Sequence, residues 1–121
     1  MDEPATEEAL HRGRAAVLAD LTADGVAGPA EVSQLEEAVA HRRWWAAQWP
    51  AGAAFVPGLL AQDMQDALLE TRGRWPLCPR CVGADPHALL VEPELGEDPH
   101  WVCPISGEPL APVGRLGEAR P

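Results

Sequence analysis

The sequence has no lysine and no tyrosine, a single phenylalanine and only three cysteines among its 121 residues. Each scarcity removes a class of protein. Without lysine, the nine basic residues are all arginine, and against nineteen acids they leave a net charge of −10. The acids are spread along the chain, and no segment is strongly basic. Such a surface repels phosphate backbones and anionic membranes, which excludes direct, non-specific nucleic-acid binding. No stretch approaches the roughly 20 consecutive apolar residues of a membrane helix. The opening MDEPATEEAL is acidic and has no apolar core, so a signal peptide is not expected and a cytoplasmic location is. In a reducing compartment three cysteines, an odd number, are better employed as metal ligands than as disulfide partners. Lysine-free usage rich in Ala, Gly, Pro and Arg points to a GC-rich bacterial genome.

What is present suffices for one compact unit. Apolar residues make up 46% and include five tryptophans, enough for a medium core and too many for a disordered tail. Residues 5–23 place Leu10, Val17, Leu18 and Leu21 at helical spacing and stop at Asp24-Gly25. A second helix starts at Pro29, with Glu31 early and an apolar face of Val32, Leu35 and Val39; Arg42 and Arg43 are expected in its last turns, complementing the dipole. The stretch from Pro50 to Pro57 reads as a connector. From Gly58 a third helix carries Leu60, Met64, Ala67 and Leu68 on one face and ends at Gly73. After Trp75-Pro76 the chain turns Pro-rich and β-like: HALLVEP, the turn ELGEDP, HWVCP and EPLAPVGRL read as two or three short strands. The expected fold is α+β, with two or three amphipathic helices over residues 1–74 and a small β region over 75–121. So small a β region needs a staple or support from the helices.

The chemistry concentrates in two similar turns, Cys78-Pro79-Arg80-Cys81 and Cys103-Pro104-Ile105-Ser106-Gly107. Two thiolates on one tight turn face one ion, and the Pro and Gly shape that turn. Residues 75–116 resemble the zinc ribbon, in which two such knuckles on short hairpins clasp one zinc ion. The second knuckle departs from the pattern, with Ser106 where a fourth Cys is expected. The layout as a whole is similar to small bacterial proteins of unassigned role with a helical front and a ribbon opening Trp75-Pro76-Leu77-Cys78-Pro79. What the resemblance implies is one structural Zn2+ on Cys78, Cys81 and Cys103. The first choice for the fourth ligand is His87, which lies where the chain leaves the first knuckle. His100, Ser106 and water remain alternatives; strand alternation places His100 on the face opposite Cys103 and Trp101, and a serine hydroxyl is a poor zinc ligand at neutral pH. His11 and His41 read as solvated.

Two cysteines, a histidine and a water also form a catalytic set, with Glu108 near in sequence as a base. Ala88-Leu89 follow His87 where a deaminase-like site needs Glu, and there is no HExxH, GxSxG or P-loop. A redox CxxC is expected to open a helix in a βαβ setting, which is not the pattern here. Trp45 and Trp49 share a helical face, Trp44 points elsewhere, and the rings are expected to pack the helices against the ribbon, with a partner-binding surface as the alternative. Trp75 and Trp101, each near a knuckle, are expected to shield the metal site. Glu92, Glu94, Glu97 and Asp98 read as a solvated turn without EF-hand spacing. The resulting expectation is a non-enzymatic adaptor or accessory subunit that contacts a protein partner. A transcription-associated ribbon contacting polymerase or a regulator, and a zinc-dependent hydrolase with an open metal position, are the alternatives.

Overall fold

The protein is described by a computed structural model over residues 3–81 and 83–120. Three helices lead: α1 (Glu3–Ala23), α2 (Pro29–Gln48) and α3 (Val56–Thr71), with a 3-10 segment at Pro50–Phe55 between the last two. Three short antiparallel strands follow, β1 (Leu90–Glu92), β2 (His100–Val102) and β3 (Pro109–Pro112), in the spatial order β1-β2-β3, and a 3-10 turn at Leu116–Ala119 closes the chain. The fold is α+β, as the sequence patterning requires. No helix among the described residues is long and apolar enough to cross a membrane.

Helix ends fall where the chain has the residues to end them. After α1, Gly25 takes φ +69°, its N–H donates to the Thr22 carbonyl, and the Val26 N–H donates to the Leu21 carbonyl at 2.9 Å. This pair of reversed bonds satisfies carbonyls the helix leaves open, and glycine adopts the left-handed conformation without a Cβ penalty. Pro29 occupies the first turn of α2, where a missing N–H costs nothing. The predicted connector at 50–57 is instead helical throughout. Pro50 opens the 3-10 turn, and Pro57 sits in the first turn of α3, which starts at Val56 rather than Gly58. Both prolines are pre-set for a helix start, and reading them as breakers overlooked that.

Leu10, Val17 and Leu21 of α1, Leu35 and Val39 of α2, and Leu60, Met64 and Leu68 of α3 meet in one buried cluster. Val91, Trp101, Leu116 and Cys103 belong to the same cluster, so helices and sheet share their apolar interior. Each such Leu contributes about 2 kcal/mol by leaving water. Around this core, ion pairs join the helices: Arg14 to Glu36 and Arg43 to Glu7 between α1 and α2, and Arg42 to Asp63 between α2 and α3. Arg42 and Arg43 therefore do not sit in the last turn of α2 as dipole partners; they reach sideways to carboxylates on neighbouring helices.

The sheet is tied to α1 by two carboxylates one helical turn apart. Asp20, fully buried, accepts from Trp101 Nε1–H at 2.8 Å, the Gly114 N–H at 2.7 Å and the Leu116 N–H at 2.9 Å. Burial raises its pKa, against the opposing pull of those three donors. Asp24 accepts from Trp75 Nε1–H at 2.9 Å and from Arg120 Nε and Nη2, each at 2.8 Å, while Arg120 Nη1 donates to the Leu77 carbonyl. The Trp75 and Trp101 rings meet edge to face at 5.5 Å between centroids. Gly114 has φ +103°, and a Cβ there would lie 2.9 Å from the Ala16 Cβ, so both its conformation and its approach to α1 require glycine.

The expectation that the Trp44–Trp49 cluster packs helices against the ribbon fails. Trp45 and Trp49 do share a face, edge to face at 5.4 Å, but Trp49 packs against Phe55, beside the 3-10 segment, and Trp44 stacks on His41 with 61% exposure. The rings that join helices to sheet are Trp75 and Trp101. An aromatic run drew attention to itself, while two separated tryptophans had the backbone trajectory that leads into the core.

Candidate metal centre

The first knuckle is built by the extended pairing of residues 76–78 with 87–89. The Cys78 N–H donates to the His87 carbonyl at 2.9 Å, and the Leu89 N–H donates to the Pro76 carbonyl at 2.8 Å. This pairing sets His87 directly across from the knuckle. Gln65 of α3 holds the pair from behind, its Nε2 donating to the carbonyls of Leu89 at 2.7 Å and Trp75 at 3.1 Å. The second knuckle closes when the Gly107 N–H donates to the Cys103 carbonyl at 2.8 Å, with Gly107 at φ +77°. Antiparallel pairing of β1 and β2 then brings Cys103, just past the end of β2, against the first knuckle.

Cys78, Cys81, His87 and Cys103 converge, with one ligand atom from each lying within 4.8 Å of the others. The Sγ atoms of Cys78 and Cys81 are 3.9 Å apart, those of Cys81 and Cys103 3.6 Å, and Cys103 Sγ is 3.7 Å from His87 Nε2; no disulfide forms. An ion about 2.3 Å from each sulfur and about 2.0 Å from a nitrogen, with tetrahedral angles, needs donor separations of roughly 3.5–3.8 Å. The three separations just given are close to that spacing, and the group could hold an ion.

Electrostatics within the group are uneven. The Ser106 N–H, aimed at Cys103 Sγ at 3.5 Å, is the main reason that thiol is lowered to about 5, with His87 assisting. Cys81 is raised to about 11, first by the adjacent Cys103 sulfur and then by burial. His87 is raised to about 9, first by the Asp85 carbonyl and then by Cys103. Because a carbonyl only accepts, the 2.8 Å contact from His87 Nδ1 to Asp85 O places a proton on Nδ1 and makes Nε2 the nitrogen that faces the sulfurs and that, once it sheds its own proton, could bind an ion.

The other candidates for the fourth position fall elsewhere. His100 lies on β2 opposite Glu92, and its Nδ1 bonds the Asp98 carbonyl at 2.8 Å. Ser106 Oγ accepts the Glu108 N–H at 3.2 Å, and both the hydroxyl and the backbone N–H of Ser106 act on Cys103 as hydrogen-bond donors. Trp75 and Trp101 lie in the core cluster against which Cys78 and Cys81 pack. Asp20 and Asp24 were not singled out in the sequence. The available signal was an acid, Asp20, on the apolar stripe of α1 beside Val17 and Leu21.

Residues 6–113 match the family described as a domain of unknown function, DUF8819. The chain belongs to that family. No curated protein and no solved structure matches it. Membership in DUF8819 brings no activity with it, so the chemistry rests on the residues themselves.

Proposed function

We propose that this chain is a zinc-binding, non-enzymatic adaptor or accessory subunit whose single zinc is structural and which acts through contacts with a protein partner. The observation that carries the reading is the closed donor set. Three sulfurs and one imidazole nitrogen lie within 4.8 Å of one another, three of their separations at 3.6–3.9 Å, and soft thiolates with one imidazole favour zinc among common divalent ions. Four protein donors leave no coordination position for a water, the feature that distinguishes structural from catalytic zinc. Seven of the nine arginines are committed to ion pairs within the chain, which leaves the outer surface dominated by acids and suits a protein partner better than a phosphate backbone.

The test is metal content. Purified protein is expected to carry one zinc per chain, lost or loosened in His87→Ala and retained in His100→Ala, and to show no zinc-dependent ester hydrolysis. Full zinc retention in His87→Ala, together with hydrolysis that follows zinc loading, would overturn the reading in favour of a water-completed hydrolytic site.

A further inference from the structure

The solvent face of the sheet, on the side away from the helices, forms a shallow, open groove. Its floor is apolar, with Val102, Pro93 and Pro109. Its polar groups are Glu92, Glu94 and His100. The carboxylates accept hydrogen bonds and, among the described residues, neither enters an ion pair. With His100 Nδ1 committed to the Asp98 carbonyl, Nε2 is the ring nitrogen left to face a guest. Donors are scarce by the same reading: the two prolines have no N–H, and that of Gly107, which also lines the groove, goes to the Cys103 carbonyl. The lining therefore asks for a donor-rich, positively charged guest with some apolar surface.

We propose that this groove docks an extended arginine- or lysine-bearing segment of a partner protein, held by Glu92, Glu94 and His100 over the apolar floor. The proposal rests on the adaptor reading and names the class of partner. Three observations favour a peptide segment. Glu92, Glu94 and His100 do not close on a common point as the four metal-site donors do, so they do not form a cage for a bare ion. Leu95 and Ile105, chain neighbours of the lining residues Glu94 and Gly107, are exposed apolar side chains at 54% and 72%. One wall is also fixed in advance, because Gln62 Nε2 of α3 donates to the Glu94 carbonyl at 2.7 Å. A preformed groove spends little ordering entropy on its guest.

The experiment titrates zinc-loaded, full-length protein, followed residue by residue by amide NMR shifts. One probe is a five-residue peptide alternating leucine and arginine, and the other alternates leucine and glutamate. The arginine peptide is expected to give saturable shifts centred on Glu92, Glu94, His100 and Val102, and the glutamate peptide none. In a Glu92→Gln, Glu94→Gln double variant the affinity is expected to fall about fivefold to tenfold, the scale of two exposed charge contacts. A Glu37→Gln, Glu70→Gln variant, equal in charge but outside the groove, should bind as the wild type does. Equal weakening in both variants would reduce the effect to diffuse charge and overturn the proposal, as would shifts mapping elsewhere or no binding. It would also be overturned if magnesium ion alone reproduced the shifts, or if they appeared on concentrating the protein without peptide. Zinc content is measured on every sample, so a failed docking groove in protein holding one zinc per chain is told apart from a failed metal site.

Discussion

Asp20 is the residue on which most depends for its size. Its two oxygens serve three N–H donors from the β region, two of them on buried residues. Replacing it with alanine strands all three, and Asp20→Ala is expected to lower unfolding free energy by roughly 3 kcal/mol or more, with Asp20→Asn, which keeps one acceptor oxygen, costing less. Urea denaturation followed by far-UV circular dichroism measures both. Gly114→Ala puts a side chain at φ +103° and against Ala16, and should cost about 2–3 kcal/mol in the same assay. At this scale the candidate metal site was largely legible, because two cysteines with two residues between them announce themselves. The choice between His87 and His100 was not settled by local pattern. Asp85-Pro86-His87 and Asp98-Pro99-His100 are the same tripeptide, and both histidines bond the carbonyl two residues back at 2.8 Å. Only the pairing of 76–78 with 87–89 turns one toward the sulfurs, while β2 turns the other to the solvent face, and pairing is a property of distant residues.

Among the elements, α2 is fastened on two sides, and the fastenings differ in strength. Arg42 grips Asp63 with two bonds of 2.7 and 2.8 Å, both side chains less than a third exposed, and stands over the Trp45 ring at 5.1 Å. Arg14 makes a similar fork to Glu36 in a wetter setting. Arg42→Ala should therefore cost about 1–3 kcal/mol and Arg14→Ala less than about 1 kcal/mol, and raising salt should erase more of the second difference. A double-mutant cycle with Asp63→Ala isolates the pair. The helices themselves were readable from period and end signals such as Pro29, Gly25 and Gly73. The 3-10 segment at Pro50–Phe55 was not, because a proline that starts a helix and one that breaks it look alike until the following residues are seen to pack. The closing turn at Leu116–Ala119 was equally hidden: its one buried side chain, Leu116, is held by an N–H bond to Asp20, ninety-six residues earlier.

For the whole molecule, the shared core sets the cooperativity. Cys103 lies in the same apolar cluster as Leu10, Leu35 and Leu68, so the metal centre and the helices should melt together. Calorimetry of zinc-loaded protein is expected to show one transition whose van't Hoff and calorimetric enthalpies agree, and, if the four donors hold zinc as proposed, its chelation should lower stability by about 3 kcal/mol or more across the entire transition. Two resolved transitions, with the first alone sensitive to chelator, would contradict that coupling. The chain's tryptophans also offer a way to watch it. With no tyrosine in the sequence, near-ultraviolet absorption and emission come almost wholly from five indoles, of which Trp44 and Trp49 face solvent and Trp75 and Trp101 lie buried edge to face. Two transition dipoles so close and so inclined couple as an exciton pair, and the resulting circular-dichroism couplet reports the distance between residue 75 and residue 101 without any label. Quenching by acrylamide reads the outer rings, and the couplet reads the inner ones, so one cuvette separates events at the helical tip from events at the joint between helix and sheet.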